Sequence, residues 1–173
     1  MDTLLEELKQ ALDSAMEGMS NRQMSWHPPD KWCAAEVLEH LYLTYTGTVK
    51  GFERLLNAGK PELGRTSLKQ RLRTLIVLQF NHLPEGRMAP KQTVPRGLAP
   101  ETVRTEIGPK LEAMDRIIGR CEARFGHGKV LDHLILGPLT AAQWRKFHWI
   151  HGRHHVKQIL RLREQARNED ASC

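Results

Sequence analysis

Apolar residues recur at intervals of three and four along four long stretches of this chain. No stretch alternates apolar and polar residues over a useful strand length. That pattern restricts the fold to packed amphipathic helices. The first stretch, residues 2–19, aligns Leu4, Leu5, Leu8, Leu12, Ala15, Met16 and Met19 on one stripe. Asp2 and Thr3 are candidate caps, and Glu6 is placed to close a capping box from Thr3. The second, residues 34–57, aligns Val37, Leu38, Leu41, Tyr45, Thr48, Phe52 and Leu55 and stops at Gly59, with Pro61 beyond. The third starts at Pro100 or Glu101 and runs to residue 124 along Val103, Ile107, Leu111, Met114, Ile118 and Cys121. Gly108-Pro109 lies inside it and predicts a kink or a fresh start. The fourth runs from an N-cap at Thr140 to residue 166.

The segments between these helices carry their own signals. WHPPDKW, residues 26–32, cannot be helical because of Pro28 and Pro29, and its two tryptophans read as packing that pins the loop. Residues 58–99 contain one shorter predicted helix, residues 67–80, and then the proline-rich run LPEGRMAPKQTVPRGLAP. A connection this long can cross the length of a bundle, so the second and third long helices can be parallel. Its proline-rich part is a candidate lip of a pocket. GHGKVLDHLILGPLT reads as a connector broken by Gly126, Gly128, Gly137 and Pro138, and the tail NEDASC as frayed. The whole, residues 1–173, reads as one all-α domain: a four-helix bundle with a short extra helix in the long connection.

Composition excludes several function classes. No apolar run approaches membrane-spanning length, and no apolar signal region follows Met1. Cys33, Cys121 and Cys173 are odd in number, scattered and outside any CxxC pair, which points to a reduced, cytoplasmic setting. The net charge is +6, but lysine and arginine are spread over several segments and aromatic residues make up 6%. The expectation is therefore no nucleic-acid partner.

Four of the nine histidines, His148, His151, His154 and His155, fall within FHWIHGRHHVKQIL. With Thr140 at zero and roughly 100° per residue, Trp144 at ~40° and Phe147 at ~340° mark the buried stripe. His151 at ~20° and His155 at ~60° lie inside it, whereas His154 at ~320° and His148 at ~80° lie at its edges. An i, i+4 pair aims two imidazole nitrogens at one point, which suits a transition metal; it also suits two core histidines bonded to polar neighbours. In the second helix His40 lies at a stripe edge beside Glu36, Thr44 and Gly47, small neighbours that leave room for a cavity. A surface histidine paired with Glu36 is the other reading. Trp149, Val156 and Leu160 fall opposite the buried stripe of the fourth helix, an outward apolar strip that predicts a homodimer.

KWCAAEVLEHL followed by HGRHHVKQI resembles the DinB-like superfamily of metal-dependent bundles, which includes YfiT-type hydrolases and bacterial thiol transferases. The block DHLILGPLTAAQWRKFHWIHGRHHVKQI is similar to one bacterial subfamily of that group. The resemblance implies an up-down-down-up bundle and a three-histidine metal site, carried here by His40, His151 and His155. It implies Gln158, at ~0° on the same wheel, as a group that supports a ligand from behind or lines the pocket. Cys33 departs from the serine that the family often has at the start of the second helix. By resemblance, a zinc or nickel ion held by three imidazoles serves either hydrolysis or transfer of a low-molecular-weight thiol to a small-molecule substrate. No catalytic residue is assigned; His148, His154 and His133 are the spare histidines available as bases. A bundle that binds metal or ligand without turnover, and a purely structural bundle, are the competing readings.

Overall fold

The computed structural model describes residues 1–81, 83 and 88–170. Among them six α-helices dominate, and a two-stranded hairpin is the only sheet. Helix α1 (Thr3–Met16) is capped by Asp2, whose carboxylate accepts the Leu4 N–H, so the cap is Asp2 rather than Thr3. It stops before the expected Met19, which is buried all the same in the turn beyond Gly18. A one-turn helix α2 (Asn21–Met24) follows, closed by a Ser20–Gln23 capping box. Helix α3 (Ala34–Ala58) ends at Gly59, whose φ of +75° is the left-handed geometry that glycine adopts without strain. Helix α4 (Leu68–Phe80) is the short helix of the long connection, and a 3-10 turn (Lys91–Thr93) follows it.

Helix α5 (Pro100–Phe125) runs unbroken through Pro109, so no fresh start occurs there. Val103 and Ile107 before the proline and Leu111 and Met114 after it enter the same core. The connector expected before the last helix is instead an antiparallel hairpin of β1 (Lys129–His133) and β2 (Gly137–Thr140), with Leu131 opposite Leu139 and His133 opposite Gly137. The strands are short and an irregularity between Lys129 and Leu131 interrupts the alternation, which hides them from a periodicity argument. Helix α6 (Ala141–Asp170) begins at Thr140, whose hydroxyl accepts the Gln143 N–H at 3.1 Å while Gln143 Oε1 accepts the Thr140 N–H at 3.1 Å.

Helix α6 is buried on two sides. One side faces α3, where the Phe52 and Trp144 rings meet at 5.6 Å. The other is covered by α1: a Cβ on Gly152 would lie 2.5 Å from Leu8, so only glycine allows this approach. For that reason the outward strip expected on the last helix is not a free face. Val156 is buried, and Trp149 is half-buried with its indole N–H donating to Glu7; of the three, Leu160 is exposed. Large apolar residues reach solvent on α4 instead, at Leu68, Leu72, Leu75 and Phe80. Among the described residues no helix is long and apolar enough to cross a membrane.

Candidate metal centre

Helix α3 contributes His40 and helix α6 contributes His151 and His155, all three buried. Their Nε2 atoms converge: His151 Nε2 lies 3.3 Å from that of His40 and 3.2 Å from that of His155. The outer nitrogens decide what the inner ones can do. His40 Nδ1 lies 2.8 Å from the Thr93 carbonyl and His155 Nδ1 lies 3.0 Å from Gln158 Oε1. Both oxygens only accept, so both Nδ1 atoms carry the hydrogen and both Nε2 atoms turn bare lone pairs inward. His151 Nε2 can give a hydrogen to one of them at most. His151 Nδ1 is buried with no hydrogen-bond partner among the described residues. The cluster therefore holds more inward lone pairs than hydrogens, an arrangement that a cation completes.

Electrostatics agree. Desolvation by burial lowers the pKa of His40, against the raising effect of the Thr93 carbonyl. Desolvation first, then the neighbouring His155, His40, His148 and His154, holds His151 well below its ordinary value. Desolvation and His40 lower His155 to about 3, against the Gln158 hydrogen bond. All three imidazoles are thus neutral at pH 7, the form that ligates metal. Neutral nitrogen donors, with two of the three outer N–H groups fixed by oxygens, fit a divalent transition metal.

A buried carboxylate outside the predicted site residues supports this geometry. Glu39, 1% exposed, accepts the backbone N–H groups of Arg96 at 2.7 Å, Gly97 at 3.0 Å and Leu98 at 2.9 Å. Glu39 and His40 thus grip the same loop one residue apart, and the Thr93 carbonyl that orients His40 belongs to it. An acidic residue next to a ligand histidine, ahead of a proline-rich loop, is the one sequence signal that points to it.

The centre opens on a cavity of about 560 Å³, within the usual range for small-molecule sites. Trp32, Thr44, Val77, Leu131, Trp144 and Phe147 are among its walls, and Leu83, Met88, Ala89, Pro90, Gln92 and Thr93 form the expected lip. Residues 84–87 of that proline-rich run, and His82 before it, lie outside the described residues. Trp32, read from sequence as packing, stands 5.3 Å from the His40 ring.

The other histidines divide. His154 lines the cavity with its ring 5.1 Å from His155. His148 is fully buried, stacked on Trp144, with Nε2 3.1 Å from Thr48 Oγ1. The Thr48 hydroxyl donates to the Thr44 carbonyl, so His148 Nε2 is the donor to Thr48. Its pKa is lowered to about 3, by burial first and by His133 second. His133 lines the cavity from the hairpin, with its pKa lowered to about 4 by burial. Glu36 takes no part in the centre: it accepts the Cys33 N–H at 2.9 Å at the start of α3 and lies 3.6 Å from His27. His27, Cys33 and Glu36 gather closely enough to hold an ion. However, Glu36 is engaged there, His27 Nδ1 donates to the Lys31 carbonyl, and burial pushes the Cys33 thiol up.

Residues 3–161 match a protein family described as "Protein of unknown function (DUF1569)". No curated protein and no solved structure matches the chain.

Proposed function

The chain belongs to the DUF1569 family, whose description names no activity, and for it we propose a metal-dependent enzyme with His40, His151 and His155 as ligands. Zinc or nickel is the ion, and the reaction is hydrolysis or the transfer of a low-molecular-weight thiol. The convergence of three Nε2 atoms, two of them lone-pair donors by virtue of their outer hydrogen bonds, is the observation that supports this most directly. A bound metal supplies Lewis acidity that activates water or a thiol. The chain's own residues do the rest. The Thr93 carbonyl and Gln158 hold two imidazoles in their ligating tautomer. Trp32, Leu131, Trp144 and Phe147 give the cavity apolar walls that bind and shield a small organic substrate. His133 and His148, held neutral as N–H donors, are unsuited to act as bases, which leaves proton movement to His154 or solvent. That same neutrality favours one alternative, a metal-binding bundle without turnover.

The reading includes an up-down-down-up order for α1, α3, α5 and α6. Its support is the sense of the pairings. Glu7 meets Arg153 and Ser14 meets Arg163 along α1 and α6. Phe52 meets Cys121 and Leu56 meets Arg124 along α3 and α5. Residue numbers run oppositely along α3 and α6, where His40 faces His151 and Phe52 faces Trp144. The proposal also places the protein in a reduced cytoplasmic setting, without nucleic-acid partners, as a homodimer whose contact surface is the exposed α4 stripe. A concentration-independent monomer in sedimentation overturns the dimer.

The test is elemental analysis of untagged protein, with wild type beside His151→Ala and His40→Ala. One metal per chain, lost in both variants, supports the centre and justifies screening hydrolase and thiol-transfer substrates with that metal. A wild type that neither retains nor takes up zinc or nickel sinks it.

A further inference from the structure

His133 is held by a different part of the fold from the three ligands, and in the opposite tautomer. It closes β1, and its Nδ1 accepts the N–H groups of Ile135 and Leu136, each at 3.2 Å, in the turn that leads to β2. A ring nitrogen that accepts from two backbone donors carries no hydrogen, so the hydrogen of the neutral ring is on Nε2. Among the described residues no protein group accepts from that Nε2–H. The ring lines the cavity. It packs at 4.3 Å against Phe147, which is itself stacked on His151 at 5.5 Å with the planes 9° apart. His133 therefore stands one aromatic ring away from the three-histidine cluster, half-buried, with its ring against Trp144 and Phe147.

We propose that His133 is a fixed hydrogen-bond donor to the molecule this cavity binds. Its Nε2–H takes an acceptor oxygen (carbonyl, carboxylate or phosphoryl) of a ligand whose reactive end lies at His40, His151 and His155. The position of that reactive end rests on the metal-centre reading; the tautomer and the donor role do not. The assignment narrows the substrate class to bifunctional small molecules, with a metal-seeking or labile group at one end and an acceptor oxygen about one ring's breadth away. It also makes His133 a binding group rather than a proton acceptor, because its other nitrogen is occupied by two backbone donors.

Untagged protein loaded with cobalt(II) provides the test, since thiol binding to cobalt is read by charge-transfer absorption. The probes are ω-mercapto-amides of increasing chain length, each paired with the alkanethiol of the same length. One length is expected to bind about tenfold tighter than its alkanethiol, the worth of one well-placed hydrogen bond. His133→Phe should erase that advantage while leaving the alkanethiol affinity and the cobalt spectrum unchanged. His133→Asn, which keeps an acceptor for the turn and an N–H for the cavity, should retain part of it. Equal affinities at every length, or an advantage that survives in His133→Phe, overturn the proposal. If wild type takes up no cobalt, the metal reading fails by itself. Long-range proton–nitrogen NMR spectra of wild type then decide on His133, and they need no variant that might misfold. A hydrogen on Nε2, a bare Nδ1 and no titration in the neutral range sustain the donor assignment; a hydrogen on Nδ1 sinks it.

Discussion

Two groups of histidines share this cavity, yet they are wired in opposite senses. His40 and His155 place their hydrogens outward on Nδ1, on the Thr93 carbonyl and Gln158, and turn lone pairs towards each other and His151. His133 and His148 carry theirs on Nε2. Burial lowers the pKa of both groups, so loss of basicity does not separate a ligand from a packed histidine. The partner of the second nitrogen does. An oxygen behind Nδ1 frees the Nε2 lone pair to ligate; a backbone N–H at Nδ1, or a hydroxyl receiving Nε2–H, makes a donor.

The strongest way to break the comparison is to delete one member of each group. His151→Ala should abolish stoichiometric metal, since the remaining pair of imidazoles binds far more weakly, whereas His148→Phe should leave the metal content intact. Metal lost equally in both variants would show that burial, and not hydrogen placement, defines the site. Acid tests the property that the two groups share. His133 and His148 titrate near 6.5 in the unfolded chain but at about 4 and about 3 in the folded one. Below pH 6.5 the unfolded chain therefore binds protons that the folded chain refuses. Stability is full above 6.5 and falls by about 1.4 kcal/mol per pH unit for each such group as the pH drops towards 4. Urea melts of metal-free protein at several pH values measure that slope, and a flat profile between neutrality and pH 5 would contradict the assigned burial.

Glu39→Gln sharpens the comparison within the ligand group. An amide has one acceptor oxygen for three backbone N–H groups and presents its own N–H to the loop. The Thr93 carbonyl should drift and His40 lose its fixed tautomer. Metal affinity should fall about 10–100-fold, the usual effect of disturbing the partners behind a ligand, with His151 and His155 unmoved. Competition with a chromophoric chelator measures this. Unchanged affinity would mean that the loop is held without Glu39.

The legible part of the site was the part set by helical geometry. His151 and His155 follow from i, i+4 spacing on a stripe already marked by Trp144 and Phe147, and the all-α class follows from the apolar recurrences. His40 came from resemblance, because its helix wheel alone placed it at an edge beside Glu36, which in the structure caps α3 instead. The remaining features depend on contacts between distant segments. The grip of Glu39 on Arg96, Gly97 and Leu98 uses backbone donors, which no side-chain pattern records. The tautomer of His133 depends on a turn whose strands are too short to show period-two alternation. Helix α6 misled for a related reason. The helical wheel predicts a single buried stripe, but α1 covers a second side through Gly152, so Val156 is interior.

The smallest change that still separates the groups is Thr48→Val. Its hydroxyl is the one hydrogen-bond partner of His148 among the described residues, at 3.1 Å, and the substitution keeps the shape of the side chain while removing the oxygen. His148 Nδ1 already lacks a partner, so the variant leaves a fully buried ring with neither nitrogen matched. That should cost about 1–2 kcal/mol of folding stability, visible as a shifted denaturation midpoint with an unchanged slope. Metal affinity should stay within about twofold, because that stability change is not differential between the metal-free and metal-bound folded states. The result bears on the whole comparison. If the loss of Thr48 weakened metal binding as strongly as Glu39→Gln does, His148 would be coupled to the ligands through His151, and the two groups would form one network rather than two neighbours in a shared cavity.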